Sequence, residues 1–141
     1  MRAVLAVLLL LPMLAGALEV LTLAPVLPGV LIGSGQVLLV VYGQILLCLM
    51  GGALWGLAAR RGGWLWHGAV LVVPVWVLLT AFSGTRQVLA ALLLGFVLLP
   101  GLDWGFSRAG LAPAGWLRFR VWLSLGAVLC LAVGLFGYPL I

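Results

Sequence analysis

The chain has no lysine, one histidine and two carboxylates, Glu19 and Asp103, far apart in its 141 residues. Such scarcity excludes acid–base chemistry by paired carboxylates, and also a metal cage of carboxylate oxygens. Its two cysteines, Cys48 and Cys130, both fall inside apolar runs, where a thiol behaves as a small hydrophobe. They form neither a disulfide framework nor a zinc site. No nucleophile stands beside a base, and no Gly-rich phosphate loop occurs. The sequence points away from an enzyme and calls for no cofactor.

What is present is apolar. Hydrophobic residues make up 67% of the chain and charged ones 6%, with a mean hydropathy of +1.41. So few polar groups cannot cover a water-facing surface, and the solvent is therefore lipid. In lipid every backbone N–H and C=O needs a partner within the protein, which restricts spanning segments to helices and closed barrels. The apolar runs are continuous, each about 17 to 25 residues long, the length of a bilayer-crossing helix. A barrel would instead alternate over segments of roughly 10 residues. The predicted class is all-α, a polytopic membrane protein of about five transmembrane helices. The net charge of +5 comes from arginine. Arginines beside apolar spans are topological anchors that meet anionic headgroups, and no nucleic-acid partner is implied.

Residues 1–141 read as a single transmembrane helical domain, with spans at about 3–23, 36–59, 64–82, 87–102 and 118–138. The first passes Ala15-Gly16-Ala17, a triplet that resembles a signal-peptide cleavage site. Its apolar character continues to Leu23, so a retained helix is expected. Pro25, Pro28 and Gly29 mark a break, and Gly33-Ser34-Gly35-Gln36 marks the start of the second helix, which Arg60-Arg61-Gly62-Gly63 ends. Pro74 predicts a kink in the third, Ser83-Gly84-Thr85-Arg86 a tight turn, and residues 103–117 the one substantial loop. Pro139 stops the fifth.

Five spans place Arg2, Arg60, Arg61, Arg108, Arg118 and Arg120 on one side and Arg86 alone on the other. That asymmetry predicts a cytoplasmic N-terminus and a periplasmic C-terminus. Trp64, Trp66, Trp104 and Trp116 fall at the same cytoplasmic ends, as an aromatic belt should.

Ionisable residues within spans are the first functional candidates, because burying them is costly. Glu19 lies near the outer end of the first span, and Arg86 is the only base on that side, so the two are expected to pair. Asp103 sits among Arg108, Arg118 and Arg120, and an arginine, with Arg118 the chosen candidate, is expected to neutralise it and lock the fourth span to the fifth. His67 could ligate haem or chlorophyll magnesium, although a hydrogen bond to a neighbouring carbonyl or headgroup accounts for it more simply. Gly52 and Gly56 are spaced to bare one helix face for close approach, and Gly126, Cys130 and Gly134 repeat the device. Gly29 and Gly33 fit it less well. Tyr42 and Gln44 could bond across helices or line a polar pocket.

Two stretches carry a family resemblance. Tyr42-Gly43-Gln44-Ile45-Leu46-Leu47-Cys48-Leu49-Met50-Gly51-Gly52-Ala53-Leu54-Trp55-Gly56 is one, and Leu102-Asp103-Trp104 followed by Arg108 to Arg120 is the other. Together they resemble a bacterial inner-membrane family, domain of unknown function thirty-four twenty-nine, which has a mitochondrial relative called transmembrane protein sixty-nine. The resemblance implies a five-span protein of the bacterial inner membrane and implies no activity.

The functional expectation is a non-catalytic accessory, scaffold or assembly subunit of a bioenergetic complex, electron-transport or photosynthetic. Its partners would be the lipid bilayer and other integral membrane subunits. A small transporter or channel component is the alternative, resting on a thin supply of polar residues: Glu19, Gln36, Tyr42, Gln44 and Thr80. Cofactor carriage through His67 is the third reading.

Overall fold

Five α-helices follow one another in the computed structural model: α1 Arg2–Thr22, α2 Gly35–Arg61, α3 Trp64–Thr80, α4 Thr85–Arg108 and α5 Trp116–Phe136. The structure describes residues 2–22, 35–61 and 63–137, apart from the side chains of Arg2 and Arg61. The features read at Pro25, Pro28, Gly29, Gly33, Ser34 and Pro139 lie outside these residues. Four helices, α1, α2, α4 and α5, are long and apolar enough to cross a membrane, and α3 is a shorter apolar helix of 17 residues. The protein is an all-α, multi-pass integral membrane protein.

Cross-helix contacts fix the directions. Tyr42 Oη donates to Leu9 O at 2.8 Å, while Gly16 lies against Gly35, so α1 and α2 run antiparallel. Trp55 meets His67 and Gly51 meets Val73, so α3 runs antiparallel to α2. Trp66 packs on Phe106 and Trp76 Nε1 donates to Ala91 O at 2.9 Å, which turns α4 back again. Asp103 pairs with Arg120 and Leu89 lies by Gly134, which turns α5 once more. The result is an up–down–up–down–up bundle. The arginine-bearing ends of α1, α2, α4 and α5 gather at one end with the start of α3, and Arg86 lies at the other.

Helix α2 is the hub, packing on each of the other four helices, whereas α3 touches only α2 and α4, and α1 only α2 and α5. The core is built from Met13 of α1, Leu39, Leu46, Leu47, Met50 and Leu54 of α2, Phe96 and Phe106 of α4, and Leu123 and Leu131 of α5. Around it, large apolar side chains such as Val4, Leu8, Val72, Leu79 and Val97 face outward, as lipid requires. Lipid tails are as apolar as these side chains, so burial alone does not hold the helices together. Close packing and interhelical hydrogen bonds must do it.

The closest packing joins α1 to α2. A Cβ on Gly16 would lie 3.0 Å from the Gly35 carbonyl oxygen, and one on Gly35 would run into the Gly16 carbonyl. The Ala15-Gly16-Ala17 triplet, which has the pattern of a cleavage site, is thus the place where two helix backbones touch.

Helix α4 corrects the expected boundaries. It continues past residue 102 to Arg108, carrying Pro100 within it, and the loop shrinks to the residues between Arg108 and Trp116. Charge suggested an ending at Asp103, but that residue is on the buried face and the helix runs straight through it. The true stop is Gly110, at φ 73°. Its N–H donates to Ser107 O at 3.2 Å and that of Leu111 to Phe106 O at 3.0 Å, satisfying carbonyls that the helix end leaves open.

Candidate functional site

Helix α5 buries Arg120, Leu123, Ser124, Ala127, Cys130, Leu131 and Gly134, a stripe at three- and four-residue steps. Helix α4 buries Leu89, Leu92, Phe96, Leu99, Asp103 and Phe106 in the same manner. The two stripes face one another, and each carries one charge at matching depth. Asp103 is 0% and Arg120 3% exposed. Arg120 Nε donates to Asp103 Oδ1 at 3.1 Å and Oδ2 at 3.2 Å. Trp116 Nε1 donates to Oδ1 at 3.2 Å, and its ring lies 5.2 Å from the guanidinium carbon. Arg120 Nη2 then reaches α2, donating to Met50 O at 2.8 Å.

This cluster ties α2, α4 and α5 together through one carboxylate. Both oxygens of Asp103 are engaged, and the guanidinium is shared between a carboxylate and a carbonyl. A buried ion pair holds its place only when its remaining donors and acceptors are so satisfied. Arg120, not the expected Arg118, is the partner. Arg118 is exposed, because two residues along a helix turn a side chain through roughly 200°.

Glu19 and Arg86 do not meet. Helices α1 and α4 make no contact, and the Asp103–Arg120 bridge is the one ion pair among the described residues. Glu19 instead sets its Cβ against Gly35 of α2, and Arg86 is exposed. The His67 ring contacts the Gly63 carbonyl oxygen through Nδ1 at 3.2 Å and meets Trp55 edge-on at 4.9 Å. Gly126 and Gly134 face inward: a Cβ on either would strike Leu10 of α1 or Leu39 of α2. Most polar residues read as possible path-liners bond to carbonyls of the bundle. Gln36 Nε2 donates to Gly134 O at 3.0 Å, Tyr42 to Leu9 O, and Thr80 Oγ1 to Trp76 O at 2.9 Å.

Gly52 and Gly56 behave differently from the glycines of the core. A Cβ built on either meets nothing within 4 Å. Both are exposed on the outward face of α2, and Gly52 lines a shallow groove there with Gln44, Ile45, Cys48, Leu49 and Ala53. Helices α1 and α3 both pack on α2 but do not touch each other, which leaves this face uncovered. Gln44 is 16 positions from Arg60, about 24 Å along the helix, so its amide lies well inside the apolar layer.

A family model described as "Protein of unknown function (DUF3429)" matches residues 1–136. The chain belongs to this family. No curated protein and no solved structure matches the chain. The two stretches that carried the family resemblance meet in the bundle. The first supplies the Met50 carbonyl and the open glycines of α2; the second supplies Asp103, Trp116 and Arg120.

Arg120 was legible as a core residue from its phase with Leu123, Ala127 and Gly134. The Gly16–Gly35 contact carried no comparable signal, since it pairs single glycines on different helices.

Proposed function

We propose that this protein is an accessory or assembly subunit of a larger membrane complex, and that the outward face of α2 receives a transmembrane helix of another subunit. The reading places it in the bacterial inner membrane with the arginine-rich end cytoplasmic. Its carrying observation is the openness of Gly52 and Gly56, where the bundle itself brings nothing close. Small residues at this spacing let a second backbone approach closely. The groove also presents the Gln44 amide, a polar group that lipid tails cannot satisfy and a neighbouring helix can. Against a transport role stands the engagement of Gln36, Tyr42 and Thr80 by carbonyls of the bundle.

The face carries its own handle. Cys48 is exposed there, while Cys130 is buried. A thiol-linked photocrosslinker on Cys48 in intact membranes should yield a protein adduct that disappears in the Gly52→Leu background. The same probe on α3, in a Cys48→Ala, Val72→Cys variant, should react only with lipid. Lipid adducts alone from Cys48 would count against the docking face.

A further inference from the structure

The arginine-rich end of the bundle has no carboxylate left to balance it. The chain has two acids; Glu19 lies at the opposite end, and Asp103 is buried against Arg120. Arg60, Arg108 and Arg118 are therefore exposed without a carboxylate partner among the described residues.

One of them lines a cleft. Arg60, at the end of α2, faces the turn Gly110-Leu111-Ala112-Pro113 across a cavity of about 250 Å³, closed on the α2 side by Leu57. The other side chains around it are apolar, yet its lining is mostly polar. The polarity must come from the guanidinium and from main-chain groups, since no other polar side chain lines the cleft. At the same end, a second cleft of about 290 Å³ has apolar walls, among them Leu5 of α1 and Phe119 of α5. Pro113 lines both.

We propose that this pair of clefts is a binding site for an anionic phospholipid. Arg60 takes the phosphate headgroup at the edge of the turn, and an acyl chain lies against Leu5 and Phe119. The charge on Arg60 selects an anion, and the adjoining apolar wall selects an amphiphile over free phosphate. Arg108 differs from Arg60 in lying over the Trp104 ring, 5.0 Å from its centroid, as a membrane-surface anchor.

The test is native mass spectrometry of the full-length protein in detergent supplied with equal phosphatidylglycerol and phosphatidylcholine. Phosphatidylglycerol should be retained preferentially, and Arg60→Gln should lower its retention about tenfold, the worth of one charge-assisted hydrogen bond. Arg118→Gln should leave retention unchanged, and excess inorganic phosphate should not displace the lipid. Equal retention of phosphatidylcholine, or no effect of Arg60→Gln, would overturn the site. An equal loss in Arg118→Gln would reduce it to diffuse attraction by the basic face, and displacement by phosphate would make it an anion site with no lipid specificity.

Discussion

Asp103→Ala should destabilise the bundle by about 3–5 kcal/mol, because it leaves the Arg120 guanidinium buried without its counter-charge. Arg120 is itself buried, held by the Met50 carbonyl and beside the Trp116 ring, so it cannot swing to solvent without giving up those contacts. Trp116 Nε1 would lose its acceptor in the same substitution. Replacing both charges, as in Asp103→Leu with Arg120→Met, should recover most of the loss, since an apolar pair of similar volume removes the desolvation penalty of both ions. Arg118→Gln should leave the unfolding midpoint where it is, because that side chain is exposed. Thermal or denaturant unfolding of the solubilised protein reads all three. An Asp103→Ala protein as stable as the parent would show that the cluster does not hold α2, α4 and α5 together.

Gly35→Leu is expected to be nearly as damaging, for a steric reason. A Cβ there would press on the Gly16 carbonyl and sit 2.9 Å from Glu19 Cβ, both parts of α1 that cannot rotate away. Separating the two backbones would also weaken the Tyr42–Leu9 bond between the same helices. Overpacking of this kind costs about 1–3 kcal/mol in soluble cores, and here packing is most of what holds the helices together. Gly95→Ala should be milder, since its nearest contact at 2.9 Å is the mobile end of Leu47. An unfolding midpoint for Gly35→Leu equal to that of the parent would contradict the backbone contact.

The helical class was legible because lipid leaves a chain few options, and long apolar runs without alternation select one of them. Helix ends were less so. Asp103 suggested a loop when read by charge alone, and only its phase with Leu99 and Phe106 marks it as a core position. The same rule separates Arg120 from Arg118. Charge balance predicted a Glu19–Arg86 pair by assuming that the sole acid and the sole base on one side would meet. Helix order around the bundle decides that, and α1 and α4 are not neighbours. For the glycines, spacing showed which could allow close approach but not which way each faced. Gly126 and Gly134 face the bundle, while Gly52 and Gly56 face out of it.

That outward orientation makes the docking reading testable apart from stability. Gly52→Leu and Gly56→Leu add side chains where the bundle has nothing within 4 Å, so both proteins should fold as the parent does. Gly101, on α4, is equally open and lies away from the α2 face, so Gly101→Leu serves as the control. The decisive measurement is co-purification of partner subunits with each variant after gentle solubilisation, alongside its unfolding midpoint. Parental midpoints are expected throughout, with partner recovery lost in Gly52→Leu and Gly56→Leu and kept in Gly101→Leu. Normal recovery with both α2 variants would contradict the docking reading.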